Sequence, residues 1–167
     1  MESPQANLPT TRSQVVRSYL RRNSIAVITV LFVAAVVYVQ WPMIKGMFYG
    51  NSAPEDGIPW RTDLAAALTE AQQAHKSVLV DVSASWCPPC RVMKHEVWPD
   101  EKVRAAVTSR FIPVLIDPDL PANRDMLHRY SVRGFPTVLI LDAAGTALRE
   151  ENFLNRDQML RFLGAPN

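Results

Sequence analysis

The chain has 167 residues, enough for one ordinary domain and an appendage. Hydrophobic residues make up 48% and charged residues 20%, a globular balance that excludes a largely disordered protein. A net charge of +2 without a basic stripe argues against a nucleic-acid partner, and two cysteines are too few for a disulfide scaffold.

Residues 1–23 read as a polar tail. Residues 24–44, "SIAVITVLFVAAVVYVQWPMI", contain no charge in 21 positions. At about 1.5 Å per residue such a run spans roughly the 30 Å hydrocarbon core of a bilayer, so it predicts a single N-terminal transmembrane helix. Tyr38 and Trp41 lie near its end, where amphipathic rings favour the membrane interface. A cleaved signal peptide is the competing reading, but its apolar region is normally about 7–15 residues with a small-residue cleavage site close behind. Arg12, Arg17, Arg21 and Arg22 precede the run, and only Lys45 follows closely. The positive-inside rule therefore puts the N-terminus in the cytoplasm and the rest of the chain outside, in the bacterial periplasm or its equivalent.

Residues 45–58, rich in Gly, Pro, Asn and Ser, read as a linker, and 59–167 as a folded domain. Within it, residues 62–75 predict a helix and 77–83, "SVLVDVS", a strand buried on both faces. Residues 88–98 predict a helix with Cys90, Met93 and Val97 on one side, and Asp100 can cap a further helix at 101–109. Residues 111–117 predict a strand, against which Pro113 is an objection unless the strand lies at an edge. A helix at 122–130, a hairpin from 136–142 and 146–150, and a last helix with Asn155 as N-cap, Gln158 three residues on and Gly164 at its end complete the order. This is an α/β pattern with a sheet of three to five strands.

Both cysteines lie in "SWCPPCR", Cys87 and Cys90, between the buried strand and a helix. A staple closing so short a loop restricts the unfolded chain little, so stability is a poor reason for the pair. Cys87 at a helix start would have its thiolate favoured by unpaired N–H groups and the helix dipole. Pro88 and Pro89 cannot donate to it, so that help is limited to Cys90 and the residues after it. Asp81, inside the apolar strand, is costly to bury unless neutral or paired. It is a candidate acid–base group for the proton of Cys90, with an outward-pointing edge residue as the alternative.

"DVSASWCPPCRVMK" followed by "VRGFPT" resembles the thioredoxin superfamily, over about residues 59–164. "VWPDEKVRAAV" and "LILDAAGTAL" are most similar to the C-terminal periplasmic domain of the disulfide reductase DsbD and related anchored members. The resemblance implies a thioredoxin fold, a central mixed β-sheet flanked by helices. It implies Cys87 as nucleophile, Cys90 as resolving thiol, a redox-active Cys87–Cys90 disulfide and Asp81 as the buried acid. It also implies Pro136 as a cis-proline, with Trp86, Phe135, Pro136 and Thr137 lining the substrate surface. Pro113 stands where many thioredoxins carry a lysine near that acid.

The expected activity is thiol–disulfide exchange without cofactor or metal. It would act on protein thiols and disulfides, in the reducing direction, fed by a membrane electron donor of the DsbD/CcdA type. A thiol oxidase or isomerase would use the same site at another potential. A copper chaperone would need Cys87, Cys90 and His95 or His128 as soft ligands, but His95 on the helix should not face the sulfurs.

Overall fold

The apolar run after residue 76 becomes strand β1 (Ser77–Val82), and the rest of the domain is arranged around it. The computed structural model describes residues 24–50 and 55–164, in two compact units, one ending at Trp41 and the next beginning at Pro42.

In the first unit, helix α1 (Ser24–Val39) is apolar all round and buries none of its residues. After a break at Gln40 comes α2 (Trp41–Phe48), which from Pro42 on belongs to the second unit. Pro42 lies in the first turn of α2, where its missing N–H costs nothing but where it could not have continued the ladder of α1. The one helix expected over 24–44 is therefore two. No single helix among the described residues is long and apolar enough to cross a membrane; α1 and α2 together have that length and composition. The expected tail at 1–23 lies outside the described residues, as do positions 51–54 of the expected linker. The linker differs at its start, where residues 45–48 are helical.

The second unit carries the sheet. Helix α3 (Leu64–Ala74) is capped by Asp63, whose carboxylate accepts from the N–H groups of Ala65 and Ala66. After β1 come a short helix α4 (Pro88–Val92), a π-helical turn (Met93–Val97) and α5 (Glu101–Arg110). Asp100 caps α5 through the N–H groups of Lys102 and Val103, as its position predicts. Strand β2 (Phe111–Ile116), helix α6 (Arg124–Arg129), strands β3 (Thr137–Leu141) and β4 (Ala147–Glu151) and helix α7 (Arg156–Phe162) follow.

The four strands run in the order β2-β1-β3-β4, with β1 and β2 parallel and the other two pairings antiparallel. Placing β2 at an edge removes the objection to Pro113. Residues 113 and 115 turn their backbone outward, where Arg61 donates to the Pro113 carbonyl and accepts from Leu115 N–H. No ladder bond is lost where proline has no N–H.

Period-two alternation divides the core between the faces. Val78, Val80 and Val82 pack with α3 and α6, together with Leu139 and Leu141 of β3. Leu79 and Val138 pack instead with Met93, Val97, Trp98 and the inner sides of α5 and α7. Asp81 shares the parity of Leu79 and so faces this second layer.

Helix α7 is started by a reciprocal cap. Asn155 accepts from Gln158 N–H at 3.0 Å, and the Gln158 side chain accepts from Asn155 N–H at 2.9 Å. Leu154 and Met159, one on each side of the cap, are both buried in the same cluster. Asn155→Ala should therefore cost about 1 kcal/mol of unfolding free energy. Urea unfolding read by circular dichroism checks this: the midpoint should fall with the slope unchanged.

Candidate active site

The switch from extended strand to helix at residue 87 positions the sulfur chemistry. Cys87 is the N-cap of α4, and Pro88 stands at the first helical position, where its fixed φ suits the helix. Cys87 and Cys90 are joined as a disulfide, Cα–Cα 5.3 Å apart. The Cys90 N–H donates to Cys87 Sγ at 3.3 Å, and with prolines at 88 and 89 it is the first backbone donor the sulfur can meet. Ala84 and Phe135 pack on the pair, leaving Cys87 3% and Cys90 1% exposed.

Around the disulfide lie the residues singled out in the sequence. Trp86 is 56% exposed, with its indole N–H donated to Asp119 Oδ2 at 2.8 Å and its ring edge-on to Phe135 at 5.9 Å. The Phe135–Pro136 peptide bond is cis. Thr137 is buried, and its hydroxyl donates to the Gly134 carbonyl at 2.8 Å, holding this loop closed on itself. Pro89, Phe135, Pro136 and Thr137 line one open groove with Asn152 and Phe153.

Arg91 lies on the same short helix as Cys90. Its guanidinium donates to the backbone carbonyls of Ser85 and Tyr49. His95 stacks flat on Tyr49, ring centroids 4.4 Å apart, with Nε2 3.3 Å from the Gly50 carbonyl. Among the described residues, His95 and the cysteines form no cluster of three or more metal-binding side chains.

Asp81 lies beneath this surface in β1, 2% exposed, so the alternative of an outward-facing edge residue does not apply. The indole N–H of Trp98 donates to its Oδ2 at 3.1 Å, while Oδ1 has no partner among the described residues. The Ser83 hydroxyl, two residues along, is the other buried polar atom in that position. Burial pushes the Asp81 carboxyl from an ordinary value near 3.8 up to about 7; the Lys94 charge and the Trp98 N–H oppose the rise, and Asp56 adds to it.

Trp98 and Asp119 were not singled out as site residues by pattern. Trp98 reads as packing, and the wide turn that carries it inward has no 3.6-residue signature. Asp119 sits in a Pro/Asp-rich loop 33 residues from the ring it holds. The one available signal was the buried acid itself, which demands a donor nearby.

The thioredoxin-like family matches residues 59–143, just over half of the chain, a span that includes Asp81, Trp86, Cys87, Cys90 and the Phe135–Pro136–Thr137 loop. This chain is a thioredoxin-like protein. It is 29% identical over 156 residues to the thiol:disulfide interchange protein DsbD of Yersinia pestis, covering 83% of this chain and 25% of that one. It thus spans about a quarter of the length of that relative. Its fold is similar to the thioredoxin of Thermus thermophilus, with 26% identity and a TM-score of 0.58 over 64% of this chain and 85% of that one. The oxidised C-terminal domain of Neisseria meningitidis DsbD superposes with a TM-score of 0.54 and 24% identity, over 63% of this chain and 97% of that one.

The raised Asp81 value has a consequence for this thioredoxin-like protein. The native chain keeps the proton up to about pH 7, whereas the unfolded chain releases it near pH 4. The native state binds more protons across that window, so stability must fall as pH rises through it. A displacement of about three units corresponds to about 4 kcal/mol in full. Thermal unfolding of the oxidised protein should show a lower Tm at pH 8 than at pH 5, and Asp81→Asn should flatten that dependence. The same pH slope in Asp81→Asn and the natural chain would exclude Asp81 as its source.

Proposed function

We propose that this chain is a membrane-anchored extracytoplasmic thiol–disulfide oxidoreductase that reduces protein disulfides. Residues 24–44 anchor it in the bacterial inner membrane with residues 1–23 in the cytoplasm. Residues 45–58 connect the anchor to the thioredoxin-like domain, residues 59–167, in the periplasm. The observation that carries the reading is the buried Cys87–Cys90 disulfide at a helix start, with the Pro136 loop on one side and a buried carboxyl group below.

In the reduced protein the Cys87 thiolate attacks one sulfur of a substrate disulfide. A Cys87–substrate bond forms, the substrate S–S bond breaks, and the first substrate sulfur leaves as a thiolate. Asp81 takes the proton of the Cys90 thiol. The Cys90 thiolate then attacks Cys87 Sγ, the mixed disulfide breaks, and the second substrate sulfur leaves as a thiolate. The substrate gains two electrons, and the protein is left with the Cys87–Cys90 disulfide. Trp86, Phe135, Pro136 and Thr137 form the wall along which an extended substrate segment lies, Pro136 and Thr137 through the loop that the Thr137–Gly134 hydrogen bond fixes.

Two features support the reducing direction. Strong oxidants owe their potential to a stabilised reduced form. Here the paired prolines leave Cys87 Sγ with Cys90 N–H as its backbone donor, which stabilises the thiolate little. The similarity to DsbD points the same way, and a membrane electron donor of the DsbD/CcdA type would restore the dithiol after each turnover.

Cys90→Ser should accumulate a mixed disulfide with a test substrate, seen as an added mass that dithiothreitol removes. Cys87→Ser should form none. Equilibrating the protein in glutathione and dithiothreitol buffers should give a midpoint near or below about −200 mV. A midpoint near about −120 mV would reverse the direction, and no intramolecular disulfide at any potential would end the redox reading.

A further inference from the structure

Trp98 lies on the helical segment that carries the cysteines, yet it is eight residues beyond Cys90 and takes no part in the sulfur chemistry. In an unbroken α-helix a residue at that spacing is turned about 80° from Cys90. The π-helical turn changes this: Trp98 N–H bonds to the Met93 carbonyl, five residues back, at 3.0 Å. The wider turn rotates Trp98 onto the line of Cys90, Met93 and Val97, all of them buried.

The ring is held there from the other side. Trp60 packs edge-on against it, with centroids 5.2 Å apart and planes at 77°, and the Trp60 indole N–H is in turn held by Asp56 Oδ2 at 2.9 Å. The indole of Trp98 is 1% exposed, so its N–H must find a partner inside the protein. The partner is Asp81 Oδ2, at 3.1 Å. Among the described residues it is the one side chain hydrogen-bonded to that carboxyl, and Oδ1 is left without a partner.

We propose that Trp98 is a positioning residue: its N–H pins Oδ2 of Asp81, so that Oδ1 is the oxygen that exchanges a proton with the Cys90 thiol. This rests on the reading of Asp81 as the proton-transfer group. The packing of Trp98 does not need the N–H; a phenyl ring would fill most of the same space. The charged groups that act on Asp81 are Lys94, on the π-helical turn, and Asp56, on the segment before α3. Neither charge is carried by Trp98, so Trp98→Phe leaves both in the chain while removing the N–H donor.

The experiment follows the Asp81 carboxyl by 13C NMR across pH in the oxidised full chain in detergent micelles. Trp98→Phe removes a donor that favours the carboxylate, so the midpoint should move up by roughly one pH unit. The pH profile for single-turnover reduction of insulin by the reduced chain should shift in the same direction. In the natural chain, the Trp98 indole 15N–1H resonance should titrate with the Asp81 midpoint, a readout that requires no variant to fold. A Trp98→Phe protein that is less stable but has an unmoved Asp81 midpoint would overturn the proposal, as would an indole resonance that does not respond between pH 5 and 9. Asp81→Asn, measured alongside, separates the two layers. If it reduces insulin at the natural rate, proton transfer through Asp81 fails and the role of Trp98 fails with it. If it is slow while the Trp98 readouts stay flat, only the positioning role fails.

Discussion

A carboxyl group in the middle of an apolar central strand is the constraint on which the rest of this architecture depends. Asp81 pairs through its backbone with Leu115 on one side and Val138 on the other, and the residue is only 2% exposed. Such a group stays neutral or finds a donor. The donor here is an indole, which must be buried in the same layer, which in turn requires the segment after the cysteines to widen into a π turn. The Trp60–Trp98 contact then ties that turn to the chain just ahead of α3. A polar requirement at one strand position thus reaches several elements distant in sequence.

The two sides of the cysteine pair have opposite characters. Above it lie exposed aromatic surface, a proline-lined groove and a loop held by its own backbone. Below it lies a buried apolar layer; among the described residues the two buried side-chain polar atoms without partners, Asp81 Oδ1 and Ser83 Oγ, both belong to β1 or its continuation. The paired prolines sharpen the division by removing backbone donors at the sulfur itself.

Most of the fold was legible in the sequence because its signals are local. The apolar run of β1, the Asp100 and Asn155 caps and the hairpin over 136–150 each depend on residues close to one another in the chain. Pro113 read as an objection and proved to be positional information, since it belongs where the strand turns an edge outward. The cysteines and Asp81 were legible because their chemistry is unusual for their surroundings. What escaped were features set by tertiary packing: the π turn, which breaks the period used to find helices, and the Trp98–Asp81 and Trp86–Asp119 bonds, which join residues 17 and 33 apart. The break at Gln40 escaped for a different reason. Hydropathy sums over a window and is blind to a missing N–H at Pro42.

The two edges of the sheet are not equivalent, and this bears on how the protein avoids sticking to itself. On the β2 side, the outer carbonyl of Pro113 and N–H of Leu115 are already taken by Arg61, and proline offers nothing more. On the β4 side every residue is exposed, and the strand "ALREE" presents Arg149, Glu150 and Glu151 to solvent. One border is sealed by the chain's own backbone and the other is guarded by charge. A second copy docking edge to edge would find Pro113 and Leu115 already paired with Arg61 on the first side and would have to bury or pair charged side chains on the second.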